Sequence, residues 1–235
     1  MPDNNMVIVA LDYPDPVQAF RFADKVSPEL CALKVGFELF LSGGPVLVDK
    51  LVKQNFKVFL DLKFHDIPNT VAQACTAAAK MGVWMMNLHA SGGPEMMSAA
   101  RDALENFSPQ SRPRLIAVTV LTSMSQQGLK AIGIDGDVTS VVRKWALSAQ
   151  DAGLDGVVCS AQESSLIRSA TDDDFLIVTP GIRLPEDDAN DQKRIVTPDE
   201  ARANGSTHIV VVRPITKAKD PMAALEIFCK AFSSA

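Results

Sequence analysis

Six consecutive residues, Asp61-Leu62-Lys63-Phe64-His65-Asp66, hold two carboxylates, an ammonium and an imidazole. They follow the apolar residues Val58 and Leu60, and on an extended strand a period of two sends Phe59, Asp61 and Lys63 to one face and Val58, Leu60 and Leu62 to the other. A lysine flanked by carboxylates is a fixed proton donor, and carboxylates held between ammoniums stay charged where a substrate's own negative group must approach. Lys34 sits inside the apolar run Cys31–Gly36. A charge there needs a partner, and Asp61 on a neighbouring strand supplies one. Lys34, Asp61, Lys63 and Asp66 thus form an alternating set whose charges balance. A second group reads as an anion site: His208–Val212 ends in Arg213-Pro214-Ile215-Thr216 at the start of a helical segment, and Arg183 closes Thr179-Pro180-Gly181-Ile182. Together the two groups point to a small phosphorylated substrate. The same ion pairs could merely tie strands together, but charges at the ends of several strands favour a site.

Those strands belong to a repeating pattern. Short β-branched runs at Met6–Leu11, Cys31–Val35, Lys57–Leu62, Trp84–Leu88, Leu115–Val120, Gly156–Cys159, Phe175–Val178 and His208–Val212 alternate with segments of helical period. The helical segments lie near Pro16–Val26, Val46–Gln54, Val71–Lys80, Glu95–Asn106, Val138–Ala152, Glu163–Ala170, Asp199–Asn204 and Pro221–Phe232. Eight strand–helix units in 235 residues predict a single-domain (β/α)8 barrel spanning 1–235, with reactive groups at the strand C-termini. A doubly wound open sheet is the other option, but Asp12-Tyr13-Pro14 follows the first strand where a Gly-rich turn would be expected. Asp12, Lys34, Asp61, Lys63, His89 and Arg213 all fall at or near strand ends. Ser42-Gly43-Gly44-Pro45 and Ser91-Gly92-Gly93-Pro94 read as helix starts rather than phosphate cradles, because Pro lacks an N–H and suits a first helical position. Ser123–Asp137 and Gly181–Pro198 are long polar connections of the kind used as binding loops, and the second carries Arg183, Gln192, Lys193 and Arg194.

Composition narrows the partners. The 23 basic and 28 acidic residues give a net charge of −5, which argues against a nucleic-acid surface. The N-terminal apolar segment is too short to span a membrane and lacks a cationic leader, so a cytoplasmic protein without membrane attachment is expected. Cys31, Cys75, Cys159 and Cys229 are widely spaced in apolar stretches and read as reduced core thiols. His65, His89 and His208 show no metal-ligand spacing, so no metal is expected.

The string Asp61-Leu62-Lys63-Phe64-His65-Asp66-Ile67-Pro68-Asn69-Thr70 closely resembles the signature of the orotidine 5′-phosphate decarboxylase family, bacterial type. The likeness extends through Ala10-Leu11-Asp12, Leu33-Lys34-Val35-Gly36, Val118-Thr119-Val120-Leu121-Thr122-Ser123, Val178-Thr179-Pro180-Gly181-Ile182-Arg183 and Arg213-Pro214-Ile215-Thr216. The D-x-K-x-x-D core alone is shared with sugar-phosphate barrels such as 3-keto-gulonate phosphate decarboxylase and hexulose phosphate synthase. A catalytically silent nucleotide-binding protein is a further alternative, disfavoured by the complete Lys34/Asp61/Lys63/Asp66 set.

The resemblance implies cofactor-independent decarboxylation of orotidine 5′-phosphate to UMP in de novo pyrimidine biosynthesis. Lys63 would protonate C6, Asp61 would lie near the substrate carboxylate, and Lys34 would link the charged network. Asp66, with Ile67 and Thr70 nearby, would cross the interface of a homodimer into the partner's site. Asp12 and Lys34 would hold the ribose, and Thr122, with Ser123 beside it, the pyrimidine edge. Arg183, Gln192, Val212 and Arg213 would hold the phosphate, with Gly181–Pro198 closing over it. Val212 departs from the family's usual Gly; if that position needs φ > 0, a β-branched residue would be strained there and phosphate geometry would change.

Overall fold

Runs of Val, Ile, Leu and Ala too short for helices pair as parallel strands in the computed structural model, which describes residues 6–185 and 196–233. The strands are β1 (Val7–Ala10), β2 (Cys31–Val35), β3 (Val58–Phe64), β4 (Met85–His89), β5 (Arg114–Val118), β6 (Gly156–Val158), β7 (Leu176–Pro180) and β8 (His208–Val211). Each pairs with the next, and β8 returns to β1, closing the barrel in chain order. The helices are α1 (Pro16–Ala23), α2 (Phe37–Lys53), α3 (Pro68–Lys80), α4 (Pro94–Leu104), α5 (Gln126–Ala131), α6 (Val138–Asp151), α7 (Ser164–Arg168), α8 (Pro198–Ala203), α9 (Arg213–Thr216) and α10 (Pro221–Ser233). Several start as the sequence dictates. Asp15 accepts the Val17 N–H at 2.9 Å with Pro16 at the first turn of α1, and Thr197 and Glu200 form a reciprocal capping box on α8.

Alternation along the strands splits the core into two layers. Outward-facing Val7, Val9, Cys31, Leu33, Val35, Val58 and Leu60 join the helices in one large cluster. Inward-facing Ile8, Ala10, Ala32, Phe59, Met85, Ile116, Val178 and Val210 fill the barrel itself. All four cysteines are free thiols, and burial pushes Cys31 and Cys75 up to about 12.

Three local features differ from the sequence reading. α2 begins at Phe37 rather than Val46, and Ser42-Gly43-Gly44-Pro45 lies within it: Gly44, at φ 59°, kinks the helix, and Pro45 follows the kink. Ser91-Gly92-Gly93-Pro94 does start a helix, with Gly93 as the N-cap of α4 and Pro94 in its first turn. The connection Ser123–Asp137 contains α5, capped by the Ser125 hydroxyl and tied down by Gln126, whose side chain donates to the Gly136 carbonyl and accepts from the Val138 N–H. With Leu129 as its buried residue, α5 offers no apolar stripe to read.

The third difference matters most. β3 and β4 pair at Phe59–Met85 and Leu60–Met86, then resume at Phe64–Leu88. Asp61, Leu62 and Lys63 therefore stand opposite Asn87 alone, and Lys63 adopts φ 44°. β3 bulges, and the strict period of two breaks at the residues it was expected to position.

Close packing on the opposite side of the barrel rests on Gly156 at the start of β6, where a methyl would run into the Leu176 carbonyl on β7. Gly156→Ala should cost about 1–3 kcal/mol and lower the melting temperature by about 2–4 °C for each kcal/mol lost. An unchanged thermal melt would refute that approach.

Candidate active site

The inward faces of the strands continue upward from the apolar floor into a polar mouth. On β1 the inward series Ile8, Ala10 leads to Asp12; on β2, Ala32 leads to Lys34; on β4, Met85 leads to Asn87. Period two alone thus delivers Asp12, Lys34 and Asn87 to a cavity of about 240 Å³. Phe59, Asp61 and Lys63 line it from β3, and Val118, Val120, Val158 and Val210 from the far side. Leu121, Thr122, Pro180, Gly181 and Arg183 form the rest of the rim with Val212.

Asp61 is the hub. Lys63 Nζ donates to its Oδ1 at 2.6 Å, Asn87 Nδ2 donates to the same oxygen at 2.7 Å, and Lys34 Nζ lies 3.1 Å from Oδ2. Lys34 also lies 3.7 Å from Asp12 Oδ1, so two carboxylates and two ammoniums balance within one chain. Burial pushes the Asp61 carboxyl up, but Lys34, Lys63 and the hydrogen bonds from Lys63 and Asn87 outweigh it and hold the group below the ordinary carboxylate value. Asp61 is therefore ionised at neutral pH.

Asp66 does not join this network. It is exposed, its Oδ1 accepts the Ile67 N–H at 2.7 Å, and Asp66, Ile67 and Thr70 all lie outside the cavity lining of their own chain. The balanced set therefore has Asp12 where the sequence suggested Asp66. His89 also lies outside the lining. It packs against His65 with ring centroids 5.6 Å apart, and burial, then the neighbouring His65 and Lys63, lower its proton affinity against the pull of Asp61.

A second cavity of about 490 Å³ adjoins the first through shared walls at Asp12, Arg183 and Val212. Arg213 opens α9 there, with Tyr13, Gln18, Thr216 and Lys217 around it. Arg183 is buried, with Nη1 donating to the Ile182 carbonyl at 3.0 Å. Val212 sits at φ −123°, outside the left-handed region, so its branched side chain carries no glycine-type strain. Thr122 lines the first cavity and Ser123 does not; Gln192 lies outside the described residues.

Asn87, the valine wall and Lys217 were not singled out from sequence, whereas Phe59 lines the cavity on the face it was expected to share with Asp61 and Lys63. Asn87 had a legible signal, a lone amide in the apolar run Met85-Met86-Asn87-Leu88, where a buried polar group must find partners. Lys217 shows only as one more charged residue after a strand.

Comparisons with known proteins converge. The family described as orotidine 5′-phosphate decarboxylase / HUMPS matches residues 5–228. An orotidine 5′-phosphate decarboxylase from Hydrogenovibrio crunogenus is 57% identical over 93% of this chain and 92% of its own. One from Marinomonas sp. is 55% identical over 93% of each chain. The crystal structure of orotidine 5′-phosphate decarboxylase from Lactobacillus acidophilus superposes with a TM-score of 0.87 at 41% identity, covering 97% of this chain and 99% of that one. With a closed eight-stranded barrel, paired lysines around Asp61 and these relatives over nearly its whole length, the chain belongs to the orotidine 5′-phosphate decarboxylase / HUMPS family.

Proposed function

We propose that the two adjoining cavities bind orotidine 5′-phosphate with its base among Lys34, Asp61 and Lys63 and its phosphate beside Arg213 and Arg183. The activity is decarboxylation of orotidine 5′-phosphate to UMP in pyrimidine biosynthesis, a carboxy-lyase reaction. The family description spans two groups, and relatives named as orotidine 5′-phosphate decarboxylase at 55–57% identity select between them. The observation that carries the reading is Asp61 fixed between Lys34 and Lys63 at the floor of a pocket large enough for a pyrimidine.

The chemistry follows from the charges. As the bond from C6 to the carboxylate breaks, carbon dioxide departs and the electron pair stays on an sp² carbon with no conjugated sink. The barrier in water is correspondingly high. Lys63 places an ammonium beside that carbon, lowers the energy of the developing carbanion and then transfers its proton to C6, giving UMP. Asp61 orients the Lys63 ammonium through the 2.6 Å hydrogen bond, and its own negative charge disfavours the bound substrate carboxylate relative to the departing neutral product. No step in this sequence calls on a cofactor. Asp12 and Lys34 hold the ribose, Thr122 the pyrimidine edge, and Val212 joins the arginines around the phosphate. Binding energy at the phosphate is then spent on orienting the base, so loss of Arg213 should lower turnover as well as raise KM.

The chain functions as a homodimer with Asp66, Ile67 and Thr70 completing the partner's site. Supporting this, Ile67 is 66% exposed beside the mouth, and Phe37 and Leu41, one turn apart on α2, are also exposed, with the Phe37 ring 5.4 Å from Lys63 Nζ. The whole chain, 1–235, serves as one catalytic domain in the cytoplasm. No helix among the described residues is long and apolar enough to cross a membrane.

Purified protein should convert orotidylate to UMP with a chelator present, followed by absorbance. Lys63→Ala should abolish turnover while leaving the circular dichroism spectrum intact, and undiminished activity in that variant would sink the role given to Lys63. For the shared site, heterodimers of an Asp66→Ala chain with a Lys63→Ala chain contain one intact site and should recover part of the activity; verified heterodimers that stay inactive would exclude sharing.

A further inference from the structure

The catalytic lysine sits at the most irregular point of the barrel. Between the pairs Leu60–Met86 and Phe64–Leu88, three residues of β3 face one residue of β4, so the ladder cannot hold the backbone there. Lys63 is held at φ 44°, a conformation that side-chain-bearing residues seldom adopt and that persists only where surroundings over-determine it. The constraint comes from Asn87. Its Oδ1 accepts the Lys63 backbone N–H at 2.8 Å, replacing the missing ladder bond, and its Nδ2 donates to Asp61 Oδ1 at 2.7 Å. The amide orientation is unambiguous, because a backbone N–H needs an oxygen and an ionised carboxylate needs a donor. Asn87 is 1% exposed, on the inward face of β4 directly above Met85.

We infer that Asn87 is a positioning residue for the decarboxylation: it pins the bulged backbone of Lys63 and the carboxylate of Asp61 with one amide, fixing the ammonium relative to the reacting carbon. This rests on the role proposed for Lys63. Hydrophobic packing could fill the same volume, but only a group that both accepts and donates can hold a backbone N–H and a carboxylate at once. Glycine or alanine at 87 leaves the N–H and one carboxylate lone pair unpartnered in a buried place, and the bulge is then free to relax. An aspartate at 87 accepts equally well but donates only when protonated. Ionised, it would put a second carboxylate against Asp61, and one of two such neighbours has its proton affinity strongly raised.

The test compares wild type, Asn87→Ala and Asn87→Asp as full-length chains. Turnover of orotidylate is measured at saturating substrate and UMP affinity by calorimetry. Asn87→Ala should lose about 100-fold in kcat, the cost of a misplacement of about 1 Å, while UMP affinity, which does not depend on the position of Lys63 relative to C6, stays within about threefold of wild type. Asn87→Asp should be as poor at about pH 8 and regain activity relative to wild type as the pH falls towards about 5, because the introduced carboxyl then donates to Asp61 as the amide did. A merely structural residue would produce no such pH-dependent rescue. The proposal is overturned if Asn87→Ala keeps kcat within about twofold of wild type, or if the Asn87→Asp profile runs parallel to wild type. Should Asn87→Ala fail to fold, the Asn87→Asp profile decides alone. A wild type that does not turn over orotidylate would instead overturn the functional reading itself, and this inference with it.

Discussion

A carboxylate taken out of water costs several kcal/mol unless other charges and donors replace the solvent. Asp61 is buried at the floor of the mouth, and its surroundings follow from that cost. Lys34 reaches it from β2, Lys63 from its own strand and Asn87 from β4, so three adjacent strands are committed to one side chain. The same arrangement prepares the chemistry. Two ammoniums are gathered where neither would be stable alone, and the one on Lys63 is aimed by the carboxylate it neutralises. Asp12, near Lys34, balances the second ammonium, so the two carboxylates and two lysines are neutral among themselves and Arg183 and Arg213 add the positive excess.

Closure of the barrel makes this affordable. Phe59, Met85, Ile116 and Val178 fill the interior beneath the charges, and Val118, Val120, Val158 and Val210 wall the opposite side. Around the buried Asp61, electrostatic interactions are stronger than at an exposed surface. The parallel strands supply the direction: every C-terminus opens to the same end, so residues from β1, β2, β3 and β4 converge although they are far apart in the chain.

How much of this could be read from the sequence depends on whether the information is local. Lys34 follows Ala32 on a regular strand, and alternation alone carries it into the mouth, as it does Asp12 beyond Ile8 and Ala10. The eight strands and most helices come through for the same reason, since each buried face repeats, although α2 starts nine residues before the expected Val46. Asp61 and Lys63 reach the cavity as alternation suggests, but by a different route, through a bulge whose existence depends on how β3 registers against β4. No pattern within β3 encodes its partner's register, so neither the φ of 44° at Lys63 nor the task of Asn87 could be foreseen. α5 escaped for the opposite reason: Leu129 is its buried anchor and the rest of it is solvated. At Asp66 the sequence placed the right residue types together, but the turn that leaves β3 carries this side chain out of its own chain's cavity, where it accepts the Ile67 N–H instead.

Charge is unevenly distributed within the mouth. One wall, from β1 to β4, carries Asp12, Lys34, Asp61, Lys63 and Asn87; the other carries Val118, Val158 and Val210 from β5, β6 and β8, with Thr122 and Arg183 at its rim. The adjoining cavity with Arg213 meets the first at Asp12, Arg183 and Val212. A chain with a net charge of −5 can therefore take an anionic nucleotide, because what the ligand meets is the local gathering of Lys34, Lys63, Arg183 and Arg213 rather than the sum over the surface.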